Sequence, residues 1–204
     1  MPNFVADGTK QVEAGFSPSQ KTKDAMARVA TLQTNLGQTW GAGLIGTGSS
    51  NKSFRATDPI SGDIITTIEI DLEGFKSAND DGDIIGLDGT DGAYLIQYQT
   101  SKFGILYKSE IICVELPTAS SNVALDFDLG AIAAADGAYN EDASGGAFHT
   151  GGSNVALGTS TVDRVQGTIT NNHYIYLLTG ATHSDVSVFT AGKLVIKLHG
   201  YNVR

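Results

Sequence analysis

The chain has 204 residues, with 25 Gly, 16 Ser, 20 Thr and a single Cys, and a formal net charge of −9 from 13 basic and 22 acidic side chains. That length suits one sizeable domain, or one domain with an arm, and 41% hydrophobic residues suffice for a buried core. One Cys excludes an internal disulfide framework and a Cys-based zinc cluster, and the acidic balance argues against sequence-independent binding to phosphate backbones.

Residues 1–8 carry neither the basic n-region nor the apolar core of a secretory leader. No apolar run approaches the ~18 residues that span a bilayer, so the expectation is a soluble protein that makes no membrane contact. Ser17-Pro18-Ser19-Gln20 reads as a helix start, with Ser as N-cap and Pro at the first helical position. Met26, Val29, Leu32 and Leu36 follow on one stripe, and Gly37 would stop the helix. An extended alternative, with Val29, Thr31 and Gln33 alternating against Ala30, Leu32 and Thr34, stays open. Residues 41–53 are rich in Gly and Ser and read as a flexible joint. Residues 1–57 are therefore expected to be an N-terminal arm and joint, and 58–204 a β-sandwich domain. Trp40 and Phe54, in arm and joint, are aromatics outside the expected core.

From residue 63 the period changes to two. Ile64, Thr66, Ile68, Ile70 and Leu72 share one face, opposite Asp63, Ile65, Thr67, Glu69, Asp71 and Glu73, the mark of a half-buried strand with a well-specified register. Further strands are expected over 93–98, over 103–116 (one long or two consecutive, ended by Pro117), and over 123–129 with Val123, Leu125, Phe127 and Leu129 inward and Ala124, Asp126 and Asp128 outward. Residues 156–162, 164–170, 173–178 and 193–201 complete the set, and the last is expected to lie inside a sheet. Short strands parted by Gly, Asn, Asp and Ser turns, without helical crossovers, indicate an antiparallel all-β fold. The expected form is a two-sheet sandwich of jelly-roll or related Greek-key type, with a closed barrel as the alternative. Ser121-Asn122-Val123-Ala124-Leu125 recurs at 153–157, but the match does not extend into its flanks, so it marks two similar turns rather than a repeat.

Chemistry-bearing residues do not assemble into a signature. Residues 58–91 hold ten acids against Lys76 alone. The run from Asp80 to Gly92 superficially resembles a calcium loop, yet no choice of first Asp puts Gly at position 6 and Glu at 12, and Asp-Gly pairs are favoured in tight turns. His149, His173, His183 and His199 show no helical zinc spacing. No Gly-x-Ser-x-Gly elbow presents a serine, the Gly145-Gly146 and Gly151-Gly152 pairs lack the lysine of a phosphate loop, and Cys113 sits among Ile111, Ile112 and Val114 as a small hydrophobe. A glycosidase would need two carboxylates across a cleft, and nothing selects a pair. No catalytic, cofactor or metal residue is assigned, and the expectation is a protein that is not an enzyme.

Several stretches carry a family resemblance: Gly92-Ala93-Tyr94-Leu95-Ile96-Gln97, Gly104-Ile105-Leu106-Tyr107-Lys108, Cys113-Val114-Glu115-Leu116-Pro117, Asp126-Phe127-Asp128-Leu129, His173-Tyr174-Ile175-Tyr176-Leu177-Leu178-Thr179-Gly180, and the ending from Phe189 to Tyr201. Through these, residues 60–204 resemble small virion structural proteins of tailed bacteriophages, particularly phages of marine bacteria. The resemblance implies a capsid decoration (cement) protein on the head surface, with the major capsid protein as partner, a trimeric assembly, no nucleic-acid partner and a place in the virion. It supplies no catalytic or ligand residues. An adaptable arm fits docking on a lattice, and the acidic charge fits a particle exterior. The rival expectation is a glycan- or receptor-binding jelly-roll module of a tail or head fibre, in which Tyr139, Asn140, His149 and Tyr174 would meet the sugar. A neck or tail component is the third.

Overall fold

The structure is a computed structural model that describes residues 41–44, 52–57, 62–77, 80–119, 121, 125–152, 154–165, 168–180 and 186–202. The chain divides into two compact units, Met1–Gly37 and Gln38–Arg204, and every described residue belongs to the second. The helix expected after Ser17, and Trp40, lie outside the described residues.

The described elements are β1 (Lys52–Thr57), β2 (Asp63–Asp71), β3 (Tyr94–Gln97), a four-residue helix α1 (Thr100–Phe103), β4 (Ile105–Ala119), β5 (Phe127–Ile132), β6 (Ala147–Thr150), β7 (Ser160–Arg164), β8 (Tyr174–Thr179) and β9 (Phe189–Tyr201). They form a five-stranded sheet, β1-β2-β9-β4-β7, and a four-stranded sheet, β3-β8-β5-β6. Every pairing is antiparallel. The result is an all-β sandwich of two separate sheets, which corrects the closed-barrel alternative.

Alternation builds the core. Along β9, Leu194, Ile196 and Leu198 are fully buried, whereas Lys193 is exposed and Val195, Lys197 and His199 are only half-buried. Across from them in β2, Ile64, Ile68 and Ile70 turn inward as their period-two spacing requires. Leu106, Ile111 and Cys113 of β4 join this layer, and Leu95, Phe127, Leu129, Ile175 and Leu177 of the second sheet belong to the same core. Each such side chain contributes roughly 1.5–3 kcal/mol by leaving water.

The pairings are nested. β5 pairs with β6, β4 with β7, β3 with β8 and β2 with β9, as if one long hairpin had been rolled until its arms lay in two layers. β9 thereby fills the middle of its sheet, hydrogen-bonded to β2 over Asp63–Asp71 on one side and to β4 on the other.

The two outer faces differ. Residues 83–85 pair with β8 at Ile84–Leu178, continuing the edge that β3 occupies, and residues 133–146 lie over the outer face of the four-stranded sheet. Ile84 and Ile85 are fully buried there, Ile85 N donates to Leu177 O, Thr179 N donates to Asp83 O, and Ala143 N donates to Gly82 O. The buried Tyr176 hydroxyl donates to Ala134 O at 2.7 Å and accepts from Gly137 N at 3.2 Å. The Asp-Gly run read as a calcium-like loop therefore continues the sheet edge, with Gly82, Gly89 and Gly92 at positive φ. On the five-stranded sheet Tyr107, Val114, Leu116, Val162 and Tyr201 remain exposed.

Four expectations need correction. Pro117 does not end the third long strand, because β4 continues to Ala119. β7 reaches only Ile112, and the register against β9 shifts between Glu115 and Thr118, so Pro117 stands on an irregular edge where its missing N–H costs no ladder bond. The joint at 41–53 is structured at both described ends. Gly41 N donates to Tyr94 O, Gly43 N donates to Gly92 O, and Leu44 is fully buried. A Cβ on Gly41 would stand 1.7 Å from Gly92 O, so glycine here permits close approach rather than looseness. Lys52–Thr57 pairs along β2 as an edge strand, and it includes Phe54. Finally, a single strand, β7 over Ser160–Arg164, stands where strands were expected over 156–162 and 164–170, and the unanticipated β6 pairs with β5.

Because Ile196 is fully buried in the central strand, Ile196→Ala is expected to cost about 3 kcal/mol. The outward Lys197→Ala should change stability by under about 0.5 kcal/mol. Urea denaturation of both variants checks the contrast.

Candidate functional site

Two polar features inside the sandwich and one surface outside it concentrate the chemistry. The first feature is a seam between the sheets. Ser109 of β4 and His149 of β6 are both completely buried, with Ser109 Oγ 2.8 Å from His149 Nδ1. His149 Nε2 lies 3.1 Å from Thr161 Oγ1 of β7. Beside them Asp163 accepts from Thr150 N at 3.0 Å and from Arg164 N at 2.7 Å. Burial holds the imidazole below its usual pKa, with Asp163 working against that. A neutral ring bonded at both nitrogens, with no reach to solvent, ties β6 of one sheet to β4 and β7 of the other.

The second feature is a pair of buried carboxylates. Asp126 and Asp128, expected outward, are only 5% and 6% exposed. Residue 128 does face away from the core, but the covering layer lies over that side. Gly180 separates the pair at close quarters. A Cβ there would be 2.8 Å from Asp128 Oδ1 and 3.0 Å from Asp126 Oδ1, so no side chain fits. Asp128 Oδ1 accepts from Gly151 N at 3.2 Å. Burial first, and the charge of Asp126 next, push the Asp128 carboxyl up to about 7.

The surface is the outer face of the five-stranded sheet. Central cations on β9 are flanked by acids on both sides. Lys193 Nζ bonds Glu115 at 2.6 Å and lies 4.0 Å from Asp71. Glu110 pairs with Lys108, and His199 Nε2 stands 3.3 Å from it. Burial raises the Glu110 carboxyl, but Lys108, His199 and Lys197 together hold it below its ordinary value. Apolar groups gather at the two ends. Leu116 lies toward the end of β4 and Val186 and Val188 just before β9, with Val114 further along β4 beside Lys193 and Leu194, and Tyr107, Val162 and Tyr201 lie toward the opposite end.

No protein-family model, curated protein or solved structure matches the chain.

The residues expected to meet a sugar have separate surroundings. The Tyr139 hydroxyl donates to Ser77 O at 3.3 Å, with Lys76 Nζ 5.2 Å from its ring centroid. Asn140 occupies a turn at φ 64°. Tyr174 packs on Tyr94 with centroids 4.8 Å apart, and His149 is sealed in the seam. Among the acids of residues 80–91, Asp88 is held by Lys76 at 2.8 Å while Asp83 is buried. No group of three metal-ligating side chains converges among the described residues. Cys113 is buried, its thiol pushed up by burial. The seam and the carboxylate pair were missed in sequence because Ser109, His149 and Thr161 come from three distant strands, and because alternation cannot tell an outward Asp from one roofed by a loop.

Asp128 keeps its proton in the folded chain and loses it near pH 4 in the unfolded one. Its contribution is therefore full below about pH 4, falls as pH rises to about 7, and stays low above that. Asp128→Asn, whose amide can donate to Asp126, should raise stability at pH 8 by roughly 2–4 kcal/mol and change it little at pH 4. Thermal melts at the two pH values check this.

His149 works in the opposite sense, because the unfolded imidazole takes a proton below about pH 6.5 that the buried one refuses. His199, also held low by burial despite Glu110, adds to it. With the Asp128 effect removed, the Asp128→Asn variant should lose stability between pH 7.5 and 5. Melting temperatures measured across that interval decide it.

Proposed function

We propose that this chain is a non-enzymatic structural protein of a virion, a capsid decoration protein that seats on a lattice of major capsid protein and stabilises the head. The nested strand pairing supports reading the sandwich as a jelly roll, the finer type expected from the sequence. The observation that carries the functional reading is the exposure of the aliphatic side chains Val114, Leu116, Val186 and Val188, at 49%, 43%, 38% and 45%. A sheet whose own loops cover one side of the molecule, and which leaves branched aliphatic residues in water on the other, is arranged for contact with another protein. Val114 and Leu116 stand on either side of Glu115, which is paired with Lys193 beside Asp71, so apolar and charged groups lie next to one another, as they do in protein interfaces. The resemblance adds the identity of the partner, a trimeric assembly and a place on the capsid surface.

Added to shells that lack it, the purified chain should bind and raise the temperature at which the shells disrupt. Leu116→Asp and Val114→Asp, both on exposed side chains, should keep the fold and weaken shell binding by about tenfold or more. Shells that neither bind the protein nor change their melting would rule the reading out.

A further inference from the structure

The opposite end of the same face holds a second feature that the capsid reading does not use. A cleft of about 650 Å³ is lined by Tyr107, Lys108, Val162, Asp163 and Arg164, a volume within the range of small-ligand sites. It lies roughly 20–30 Å along β4 from Val114 and Leu116. From this cleft we propose that the chain binds an acidic oligosaccharide, with Arg164 taking the carboxylate or sulfate group and Tyr107 the face of the sugar ring.

Three observations converge. First, the charges around the cleft are already committed, apart from one. Lys108 is paired with Glu110, and the two Asp163 oxygens accept from Thr150 N and Arg164 N. The Arg164 guanidinium forms no ion pair among the described residues. An unengaged guanidinium beside a cleft is a planar fork suited to an oxyanion. Second, the wall next to it is aromatic and in water. Tyr107 and Tyr201 are 39% and 43% exposed with ring centroids 6.1 Å apart, and His199 lies 6.2 Å from the Tyr107 ring. Packing against Tyr201 and His199 steadies the Tyr107 ring, and a ring held at low entropy cost is a good platform for the C–H face of a pyranose. Third, Val162, 54% exposed, lies two residues before Arg164 on β7 and adds an apolar wall to the cleft. Aromatic face, apolar wall and one free cation match a ligand with a carbon-rich face and a single negative group per residue. Asp163 and Glu110 oppose a polyphosphate, which would bring more negative charge than one guanidinium offsets.

The inference does not rest on the capsid reading. To test it, the full chain is titrated with oligogalacturonate, with a sulfated galactan oligosaccharide and with a neutral cello-oligosaccharide, followed by calorimetry and by amide shifts. Binding of the first or the second, absent for the third, weakened by added salt, with shifts at residues 107, 162 and 164, is the expected result, and the stronger of the two distinguishes carboxylate from sulfate. Arg164→Ala and Tyr107→Ala should each weaken binding by about tenfold, Arg164→Lys should fail to restore it fully, and Val186→Ser at the far end should leave it unchanged. No binding of either acidic sugar at about 10 mM, equal binding of the neutral sugar, or indifference to Arg164→Ala would overturn the proposal. Sedimentation showing that Arg164→Ala dissolves a self-associated form would also overturn it, by assigning the cleft to contact between copies. Shell binding by Arg164→Ala stays intact in every case, which keeps this test separate from that of the capsid reading.

Discussion

Backbone hydrogen bonding on both sides of one strand governs this molecule. β9 supplies the middle of the five-stranded sheet, with β2 paired along one edge and β4 along the other, so the N–H and C=O groups on the facing edges of both neighbours are satisfied through it. Its inward residues Leu194, Ile196 and Leu198 are the floor of the core, and its outward Lys193, Lys197 and His199 set the charge pattern of the open face. Fold and surface chemistry thus share one element. A strand paired with a neighbour on both edges over Lys193–Tyr201 has little freedom to slide.

What was legible in sequence is what two-fold alternation encodes. β2 and β9 carry β-branched or aliphatic residues on one face and polar ones on the other, and their residues were placed on the correct sides. Residues 103–116 were expected as one long strand or two consecutive ones; β4 is a single strand that starts at Ile105, after α1, and runs past Pro117 to Ala119. β6 was not anticipated, because Ala147–Thr150 is four residues long, set between glycines, and holds its place through pairing with β5 and the His149 bonds. The outward assignment of Asp126 and Asp128 failed for a different reason. Alternation reports which side of a sheet a residue takes, and it says nothing of whether a distant loop will later lie over that side. The same limit hid the Tyr107–Arg164 cleft, since strand neighbours in β4 and β7 become neighbours only through the register.

The buried polar groups have a division of labour set by their partners. The Ser109–His149–Thr161 chain is satisfied at each contact and bridges the sheets, so it favours one packing over others. The Asp126–Asp128 pair is strained by like charge at close range, tolerated because Gly180 leaves room and Gly151 donates a bond. One feature rewards a neutral ring and the other a protonated acid, and their opposing pH dependences partly cancel near neutrality.

The nested pairing has a consequence for how the chain comes together. Only β5 and β6 are neighbours in both sequence and sheet within the roll. Each wider pair closes a longer loop, and Asp63 finds its partner in Tyr201, close to the end of the chain. Contacts of such separation fold slowly, and during synthesis β2 and β4 have no central strand between them until β9 has emerged. Until then their aliphatic edges face a crowded solution unpaired, where other copies compete for them. β9 is therefore the element that turns an adhesive intermediate into a closed sandwich, and the rate at which it arrives bears on yield as much as the stability of the finished sandwich does.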